Sequence, residues 1–434
     1  MKKTFRFLSM AALLVVGAIM TGCSSDDNID NPQQPANNDN LVTLTATVSF
    51  DGAAGTRAID GTTGTKTFES GKQIAVFYED ASGNLQKAVS TDFTPLTDAT
   101  KATFTVTLST PKSGGQIRYI YPASMAKALP SSPTAYTADD AVTIDYSGIF
   151  GSQDGTLTTL ADYDLAVKDA TLSGTDQPAT VTLTNPLAIC KFTFKDAGSN
   201  DITGVTRLTV SNGTNAYAVS TSGLDEIYVA MKPVASGNIA FTAATASETY
   251  FRTVTGKSLD ASKLYKNITV GSMVELAKGN VIGYDGNIYA SKTAAGSNAA
   301  AVIVYLGSDT KDATFKNGLA IALADEAQSN WSTAKSTCEG KTAITGAKWC
   351  LPSQDQWKQM FKANGGNEGS YNDLKTTITT AEGTTLQENA DYWSSSEYDS
   401  GVDAYYVRLP GNGNAYWSHV SKNFNFRVRA CLAF

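Results

Sequence analysis

Few side chains in this sequence could carry out acid–base or nucleophilic chemistry. The 434 residues include one histidine, His419, so a Ser-His-Asp triad would have to use it, and no nucleophile elbow is present. A catalytic zinc site normally needs more imidazole or thiolate ligands than one histidine and scattered cysteines supply. TVTGKS contains a GKS tripeptide, but Phe251 stands where a P-loop has its first glycine. We therefore predict that the protein is not an enzyme and holds no cofactor, and that His419 is a surface residue.

Carboxylates are grouped in the segment SEYDSGVD. Glu397, Asp399 and Asp403 could offer oxygen ligands to calcium, although their spacing is not that of an EF-hand. The alternative is an acidic loop without a metal, and this is the interpretation that we favour.

Aromatic and amide side chains near the C-terminus suggest a ligand surface. Sugars stack on aromatic rings, and amide groups hold their hydroxyls. Asn412, Asn414 and Trp417 lie on a stretch rich in turn residues, so we predict that they contact a glycan or protein receptor. We expect Trp393, and at least one of Tyr405 and Tyr406, to be core residues.

The N-terminus has the pattern of a signal peptide. A basic start is followed by an apolar run at 8–20 that is too short to span a bilayer. Cys23 after Gly22 resembles a bacterial lipobox, in which the cysteine is acylated, for example by palmitate. An ordinary cleaved signal with an incidental cysteine is the alternative. We predict a signal peptide at 1–22 and a polar, acidic, disordered tether at 23–40.

Composition limits the class of partner. The net charge is -7, and the basic residues are scattered, whereas a nucleic-acid-binding protein usually has a clustered basic face. We therefore expect no nucleic-acid partner. The length allows two to four domains.

Short alternating segments predict a mostly β chain. Val42, Leu44, Ala46, Val48 and Phe50 alternate with hydroxyl residues, which predicts a first strand at 41–50 with one buried face. ATFTVTLS, KQIAVFYED and QIRYIYP predict further strands of one β-sandwich at 41–178. A second sandwich is predicted at 179–275, with Cys190 as a buried thiol on its first strand.

Helical patterns appear only after residue 276. NWSTAKSTC places Trp331, Ala334 and Cys338 on one helical face, and Ser353 with Gln356 predicts a capping box at the start of a second helix. Strands return in DAYYVRLP, NAYWSHV and FRVRACLAF. We predict an α+β domain at 276–434.

Several of these motifs resemble the fimbrillin family of Bacteroidetes surface lipoproteins. The carriers are the lipobox Cys23, a first strand followed by GTRA, LTNPLAICKFTFK, IYVAMKP and KLYKNITV. The resemblance implies that 41–178 and 179–275 are transthyretin-like sandwiches. AKWCLPSQDQW, DYWSSSEY, AYYVRL and NFRVRACLAF resemble C-type-lectin-like modules, which implies that fold for 276–434.

The resemblance also implies how the chain is processed. In fimbrillins an arginine-specific protease cuts after the first strand, which then leaves the sandwich, and another subunit donates a strand to the groove. The matching bond here is Arg57–Ala58, and cleavage would release strand 41–50 together with the lipid anchor. The lectin-like resemblance implies a disulfide between Cys338 and Cys431, for which Cys350 could compete.

These expectations describe a fimbrial tip subunit. It would be a surface-exposed outer-membrane lipoprotein before processing and part of a fimbrium afterwards, with other fimbrial subunits as partners and a head for attachment. The alternatives are a non-polymerising glycan-binding surface lipoprotein and a stalk or anchor subunit.

Overall fold

Alternation of apolar and hydroxyl residues dominates the chain, and it produces a mostly β protein, with 49% of residues in strands and 13% in helices. A computed structural model describes residues 41–50, 67–68, 70–132, 140–160, 165–365 and 367–434. Among these, no helix has the length and apolar character needed to cross a membrane.

The first part of the chain forms two four-stranded sheets. Their strands run in the orders β4-β5-β1-β8 and β3-β2-β6-β7. The elements are β1 (Leu41–Phe50), β2 (Ala75–Glu79), β3 (Leu85–Val89), β4 (Thr94–Pro95), β5 (Lys101–Ser109), β6 (Gln116–Tyr121), α1 (Asp140–Thr143), α2 (Ser147–Gly151), α3 (Leu157–Leu160), β7 (Ala166–Thr171) and β8 (Thr180–Leu183). We call this unit the first sandwich. Its sheet takes β8 from beyond residue 178, where the sequence suggested that the first domain ends.

Side chains alternate between the two faces of a strand, so successive residues of β2 belong to different cores. Val76 and Tyr78 of β2 face the core between the two sheets of the first sandwich. Ala75 and Phe77 point to the other face and belong to the core of the following unit. The sheet that contains β2 is therefore buried on both faces.

A longer sheet follows, in the order β10-β9-β16-β15-β14-β11-β12, with β13 also paired to β9. Its strands are β9 (Ala188–Asp196), β10 (Asp201–Ile202), β11 (Val205–Ser211), β12 (Ala216–Leu224), β13 (Ile227–Met231), β14 (Val234–Ala244), β15 (Thr249–Leu259) and β16 (Leu264–Glu275). Residues of these strands share one apolar core, and we call the unit that they form the second sandwich. Phe192, Phe194 and Phe241 meet in its core with ring centroids 5.1–6.4 Å apart. Cys190 is buried there, as predicted.

The remaining residues form a unit that we call the head, with sheets in the orders β18-β17-β19-β20-β27-β22 and β21-β26-β23-β24-β25. Its elements are β17 (Val281–Gly283), β18 (Ile288–Tyr289), α4 (Lys292–Ala295), β19 (Ala299–Leu306), β20 (Gly318–Ala322), β21 (Glu326–Ser329), α5 (Trp331–Glu339), β22 (Lys348–Cys350), α6 (Gln354–Ala363), α7 (Asn372–Thr380), β23 (Ala390–Asp399), β24 (Asp403–Leu409), β25 (Tyr416–Ser421), β26 (Phe426–Val428) and β27 (Cys431–Ala433). The α+β character predicted from the sequence is confirmed.

The two main helices of the head start where the sequence predicted. The Ser353 hydroxyl accepts from the Gln356 amide and the Gln356 side chain accepts from the Ser353 amide, which is a capping box. Trp357, Met360 and Phe361 are fully buried. In α5, Asn330 caps the helix, and its apolar face is buried.

The head packs on the second sandwich. Ala240 and Phe251 of the sandwich share a core with residues of the head. Asn317 Nδ2 donates to Thr209 Oγ1 at 2.9 Å, and Thr253 Oγ1 donates to the Gly286 carbonyl at 3.0 Å. The two units are joined by apolar burial and by hydrogen bonds.

Candidate functional site

The first candidate site is the slot in which β1 lies. On one side β1 pairs antiparallel with β5 along almost its whole length, with Leu44 opposite Val106 and Val48 opposite Ala102. On the other side Thr47–Phe50 pair in parallel with β8 (Thr180–Leu183). Strand β1, the first strand of the described residues, is therefore an inner strand of its sheet and is paired at both edges.

The buried face of β1 closes the core of the first sandwich. Leu44, Ala46 and Val48 are 7%, 3% and 0% exposed and lie in one apolar cluster with residues of both sheets. Burial of an aliphatic side chain such as leucine or valine contributes about 1.5–3 kcal/mol. At the end of the strand, the Phe50 ring stacks on Phe68 at 4.3 Å.

The outer face of β1 is polar. Thr45 and Thr105 share a hydrogen bond of 3.0 Å between their hydroxyls across the pair with β5. Removal of β1 would expose two backbone edges and an apolar trough, the arrangement that another strand can complete. The predicted lipidation site Cys23 and the predicted cleavage bond Arg57–Ala58 lie outside the described residues.

The second candidate site is the surface of the head. Asn412 and Asn414 are exposed in the turn between β24 and β25, where the Asn414 amide donates to Asn412 Oδ1 at 3.0 Å. Trp417, the third predicted ligand residue, is half-buried and packs on the core of the head. Lys358 lies 5.8 Å from its ring centroid, and its indole nitrogen is buried without a partner among the described residues.

The structure gathers other aromatic residues that sequence reasoning did not single out as a group. Tyr398 stacks on His419 with ring centroids 3.5 Å apart and planes at 7°. The Tyr405 ring meets Tyr398 edge-on at 5.5 Å. Asp403 lies 3.1 Å from His419 Nδ1. We call these four residues the Tyr398 cluster. Register explains it, because Tyr405 lies directly opposite His419 in the β24–β25 pair.

Two expectations about aromatic residues have clear outcomes. Trp393 is fully buried, as predicted. Tyr405 and Tyr406 are both only half-buried, so the expectation that one of them is a core residue holds in part, since Tyr406 packs against the apolar core.

The acidic segment 397–403 has ordinary partners. Its two ends lie in the paired strands β23 and β24, and residues 400–402 form the turn between them. Glu397 accepts from Lys422 at 2.6 Å, which lowers its pKa, and Asp403 faces His419. Across the described parts of the chain, no three His, Cys, Asp or Glu side chains are placed to hold a metal ion.

The head contains three thiols, those of Cys338, Cys350 and Cys431, and all are free in the structure. Cys431 lies directly opposite Cys350 in the β22–β27 pair. A hydrogen bond from the Cys431 thiol lowers the pKa of Cys350, and that contact together with burial raises the pKa of Cys431. Burial raises the pKa of Cys338 to about 12. The expected disulfide between Cys338 and Cys431 is thus not formed here, and the cross-strand neighbour of Cys431 is Cys350.

Comparisons with known proteins add a set of distant structural neighbours. No protein-family profile matches the chain, and no curated protein matches it. A candidate cell adhesion protein from Bacteroides uniformis is 20% identical, with 54% of this chain and 97% of that chain covered and a TM-score of 0.30. A candidate cell adhesion protein from Bacteroides fragilis is 14% identical, with 54% and 93% covered and a TM-score of 0.30.

A fimbrial assembly protein from Parabacteroides distasonis is 11% identical, with 53% of this chain and 90% of that chain covered and a TM-score of 0.28. At these TM-scores the likeness carries no argument about function. These neighbours are candidate adhesion and fimbrial assembly proteins of Bacteroides and Parabacteroides.

Proposed function

We propose that the protein is a fimbrial subunit that accepts a donated strand in place of β1. The observation that supports this most is the position of β1, which is the first strand of the described chain and yet pairs at both of its edges. Such a strand can be replaced by an extended segment of another subunit, because the segment would restore both ladders and refill the trough of Leu44, Ala46 and Val48.

Cleavage at Arg57–Ala58 is the step that frees β1 in this proposal. Arg57 follows shortly after Phe50, the last residue of β1, in the sequence. The fragment that leaves would carry the acylated Cys23, so one cut would both open the slot and detach the subunit from the outer membrane. Before the cut the protein would be a surface-exposed lipoprotein.

The head supports a position at the tip of the fimbrium. Strand β27 lies between β20 and β22, and Phe434 is fully buried. This strand cannot be donated to another subunit without disruption of the head sheet. The proposed subunit therefore accepts a strand and uses its head for attachment, with Asn412, Asn414 and Trp417 as the proposed receptor contacts.

The test is limited proteolysis of the folded, unlipidated protein with an arginine-specific protease. We expect the first new N-terminus to be Ala58, and we expect a synthetic peptide with the sequence of a stalk-subunit donor strand to displace residues 41–50 from the cut protein. The Arg57→Lys variant, which such a protease does not cut, is the matched control.

Resistance of Arg57, or retention of residues 41–50 in the presence of donor peptides, would contradict the proposal. In that outcome a non-polymerising glycan-binding lipoprotein becomes the better account. Transfer of a strand from the head to another subunit would instead indicate a stalk subunit.

A further inference from the structure

The second sandwich contains an opening between two consecutive strands. Strands β15 and β16 pair only at one end, where Tyr250 lies opposite Glu275 and Phe251 opposite Val274. Beyond that end, β15 continues beside β14 and β16 continues beside β9. Among the described residues, Arg252–Leu259 and Asn267–Gly271 have no ladder partner on the sides that face the opening.

This opening contains a cavity of about 490 Å³. Its floor is the apolar core of the sandwich, including Phe192, Ile239 and Phe241, which are 1–3% exposed. Val254 and Ile268, one from each flanking strand, line it and are half-buried. The opening thus combines an apolar floor with two backbone edges, and an unpaired edge is a template for another strand.

The geometry matches that of the slot around β1. Because β15 and β16 are antiparallel, a strand between them would be antiparallel to one and parallel to the other. β1 has this same mixed pairing, antiparallel to β5 and parallel to β8. The free stretches Arg252–Leu259 and Asn267–Gly271 would accommodate a strand of roughly five to eight residues, since each strand residue pairs with about one residue of its neighbour.

The charged residues around the cavity favour one kind of strand sequence. Its charged lining residues are Arg252 and Lys257, which are both exposed, in a chain whose net charge is -7. A cationic rim favours a segment that carries carboxylates. Arg252 also donates to the Ser272 carbonyl at 3.4 Å, which holds its guanidinium across the opening.

We propose that the gap between β15 and β16 is a second acceptor groove, which binds an extended, acidic segment of a partner polypeptide in which apolar and polar residues alternate. No described residue pairs with the two edges that face this groove, and binding there does not require cleavage at Arg57. The groove therefore lies in a different place from the β1 slot and needs no cleavage to bind a strand. The proposal does not rest on the removal of β1.

The experiment uses the full-length, uncut, unlipidated protein and a panel of fluorescent synthetic peptides. In each peptide, of six to ten residues, valine or isoleucine alternates with threonine, and both ends carry either aspartate or lysine. Affinity is measured by fluorescence anisotropy, and the site by amide hydrogen exchange. We expect aspartate-ended peptides to bind about 10-fold more tightly than lysine-ended ones at low salt, with protection of both Arg252–Leu259 and Asn267–Gly271.

The variant that tests the rim is Arg252→Glu combined with Lys257→Glu, which should abolish or reverse the preference for aspartate. Lys316→Glu, a change at an exposed lysine of the head, is the control and should leave the preference for aspartate-ended peptides unchanged. Amide exchange without peptide will show whether each variant keeps its fold.

Three outcomes overturn the proposal. They are binding by no peptide of the panel, protection at only one of the two edges, and protection of β5 and β8 in place of β15 and β16. Because the protein stays uncut, failure here leaves strand exchange at β1 standing, and failure of the protease experiment leaves this groove standing.

Discussion

Val48 of β1 and Val181 of β8 lie directly opposite each other in a parallel pair of strands, and both side chains are fully buried. Parallel pairing joins segments that are far apart in sequence, here by more than a hundred residues. The first strand thus depends on contacts that form only when the whole first sandwich is complete. Substitutions of β1 side chains can therefore measure how strongly the first sandwich holds this strand.

The first prediction concerns that hold. Leu44→Ala leaves a cavity in the core of the first sandwich and should destabilise the β1 pairing by about 2–5 kcal/mol. Amide hydrogen exchange of β1 and β5 measures the change. Thr45→Ala, on the exposed face of the same strand, is the control; it removes the hydrogen bond to Thr105 and should change stability by about 1 kcal/mol or less. Equal exchange rates in the two variants would show that the apolar trough does not hold β1.

The second prediction concerns a buried ion pair in the head. Arg429 is fully buried, donates to Asp325 at 2.6 Å and also donates to the Ala322 carbonyl. Arg429→Met removes one partner of the pair and should destabilise the head by about 3–5 kcal/mol. Chemical denaturation followed by tryptophan fluorescence measures it, since all five tryptophans lie in the head and four of them are buried in its apolar cores.

The control for this pair is Arg408→Met. Arg408 forms a longer contact of 3.6 Å with Asp391, and its side chain is 56% exposed. Exposed pairs contribute less than about 1 kcal/mol, so this variant should stay close to the original stability. A small effect of Arg429→Met would mean that burial of the charge costs as much as its partners contribute.

Local patterns predicted most of the elements. The alternation in 41–50 and 101–109 predicted two strands and their buried faces, because side chains in a strand alternate between its two faces. The capping box at Ser353 predicted the start of α6, because its two partners, Ser353 and Gln356, lie close together in the sequence. Signals of this kind are complete within a short segment of sequence.

Pairing across the chain was not predictable in the same way. No local feature shows that Thr180–Leu183 joins β1, because the partners are separated by the whole first sandwich. The stack of Tyr398 on His419 depends on the register between strands, and the opening between β15 and β16 depends on where these two strands stop pairing. Segment 397–403 was predicted as a loop, but only residues 400–402 form a turn, and the residues on either side belong to β23 and β24. Helix α7 was not predicted, since its apolar face has only Leu374 and Ile378.

The third prediction concerns the order in which the thiols react. Cys350 is partly exposed and has a lowered pKa, whereas burial raises the pKa of Cys190 and of Cys338 to about 12. The thiolate is the reactive form, so iodoacetamide should modify Cys350 first in the folded protein. Peptide mass spectrometry after partial alkylation identifies the site. Earlier labelling of Cys338 would contradict the contact between Cys350 and Cys431.

The same neighbours predict which disulfide forms under oxidation. Exchange with an oxidised low-molecular-weight disulfide should link Cys350 to Cys431, because they lie directly opposite each other in an antiparallel pair, where the distance between Cα atoms suits a disulfide. The exchange releases two molecules of the small thiol for each disulfide formed. Peptide mapping without reductant distinguishes this link from one between Cys338 and Cys431, and Cys350→Ser is the variant that should prevent it.

The fourth prediction concerns alkaline pH. Burial raises the pKa of Tyr217 to about 12, and burial together with the charge of Asp325 does the same for Tyr392. The unfolded chain then loses these protons near pH 10 while the folded protein keeps them. The contribution of these two tyrosines to stability is therefore constant below about pH 10 and falls as the pH rises towards 12, by on the order of 2 kcal/mol for each tyrosine.

Urea unfolding at a series of alkaline pH values measures this loss. Tyr392→Phe should flatten the pH dependence, although it also removes the hydrogen bond of 3.0 Å to Asp325 and so lowers stability at neutral pH. An unchanged slope in both Tyr392→Phe and Tyr217→Phe would show that these two residues do not carry the alkaline transition.

The fifth prediction separates two surfaces of the head. Trp417 packs on the apolar core, so Trp417→Ala should lower the stability of the head as well as any receptor binding that depends on it. Tyr398 is 54% exposed and contacts His419 and Tyr405, so Tyr398→Ala should leave stability nearly unchanged. Thermal unfolding and binding to a glycan array, measured on the same preparations, give both quantities.

The pattern of losses identifies the surface that binds. Loss of binding in Asn412→Ala and Asn414→Ala, with stability kept, would support the turn beside Trp417 as the receptor contact. Loss only in Tyr398→Ala would move the contact to the Tyr398 cluster, where two exposed rings and the carboxylate of Asp403 lie together. Binding that survives all these changes would exclude both surfaces, because neither could then supply the aromatic face on which a sugar stacks.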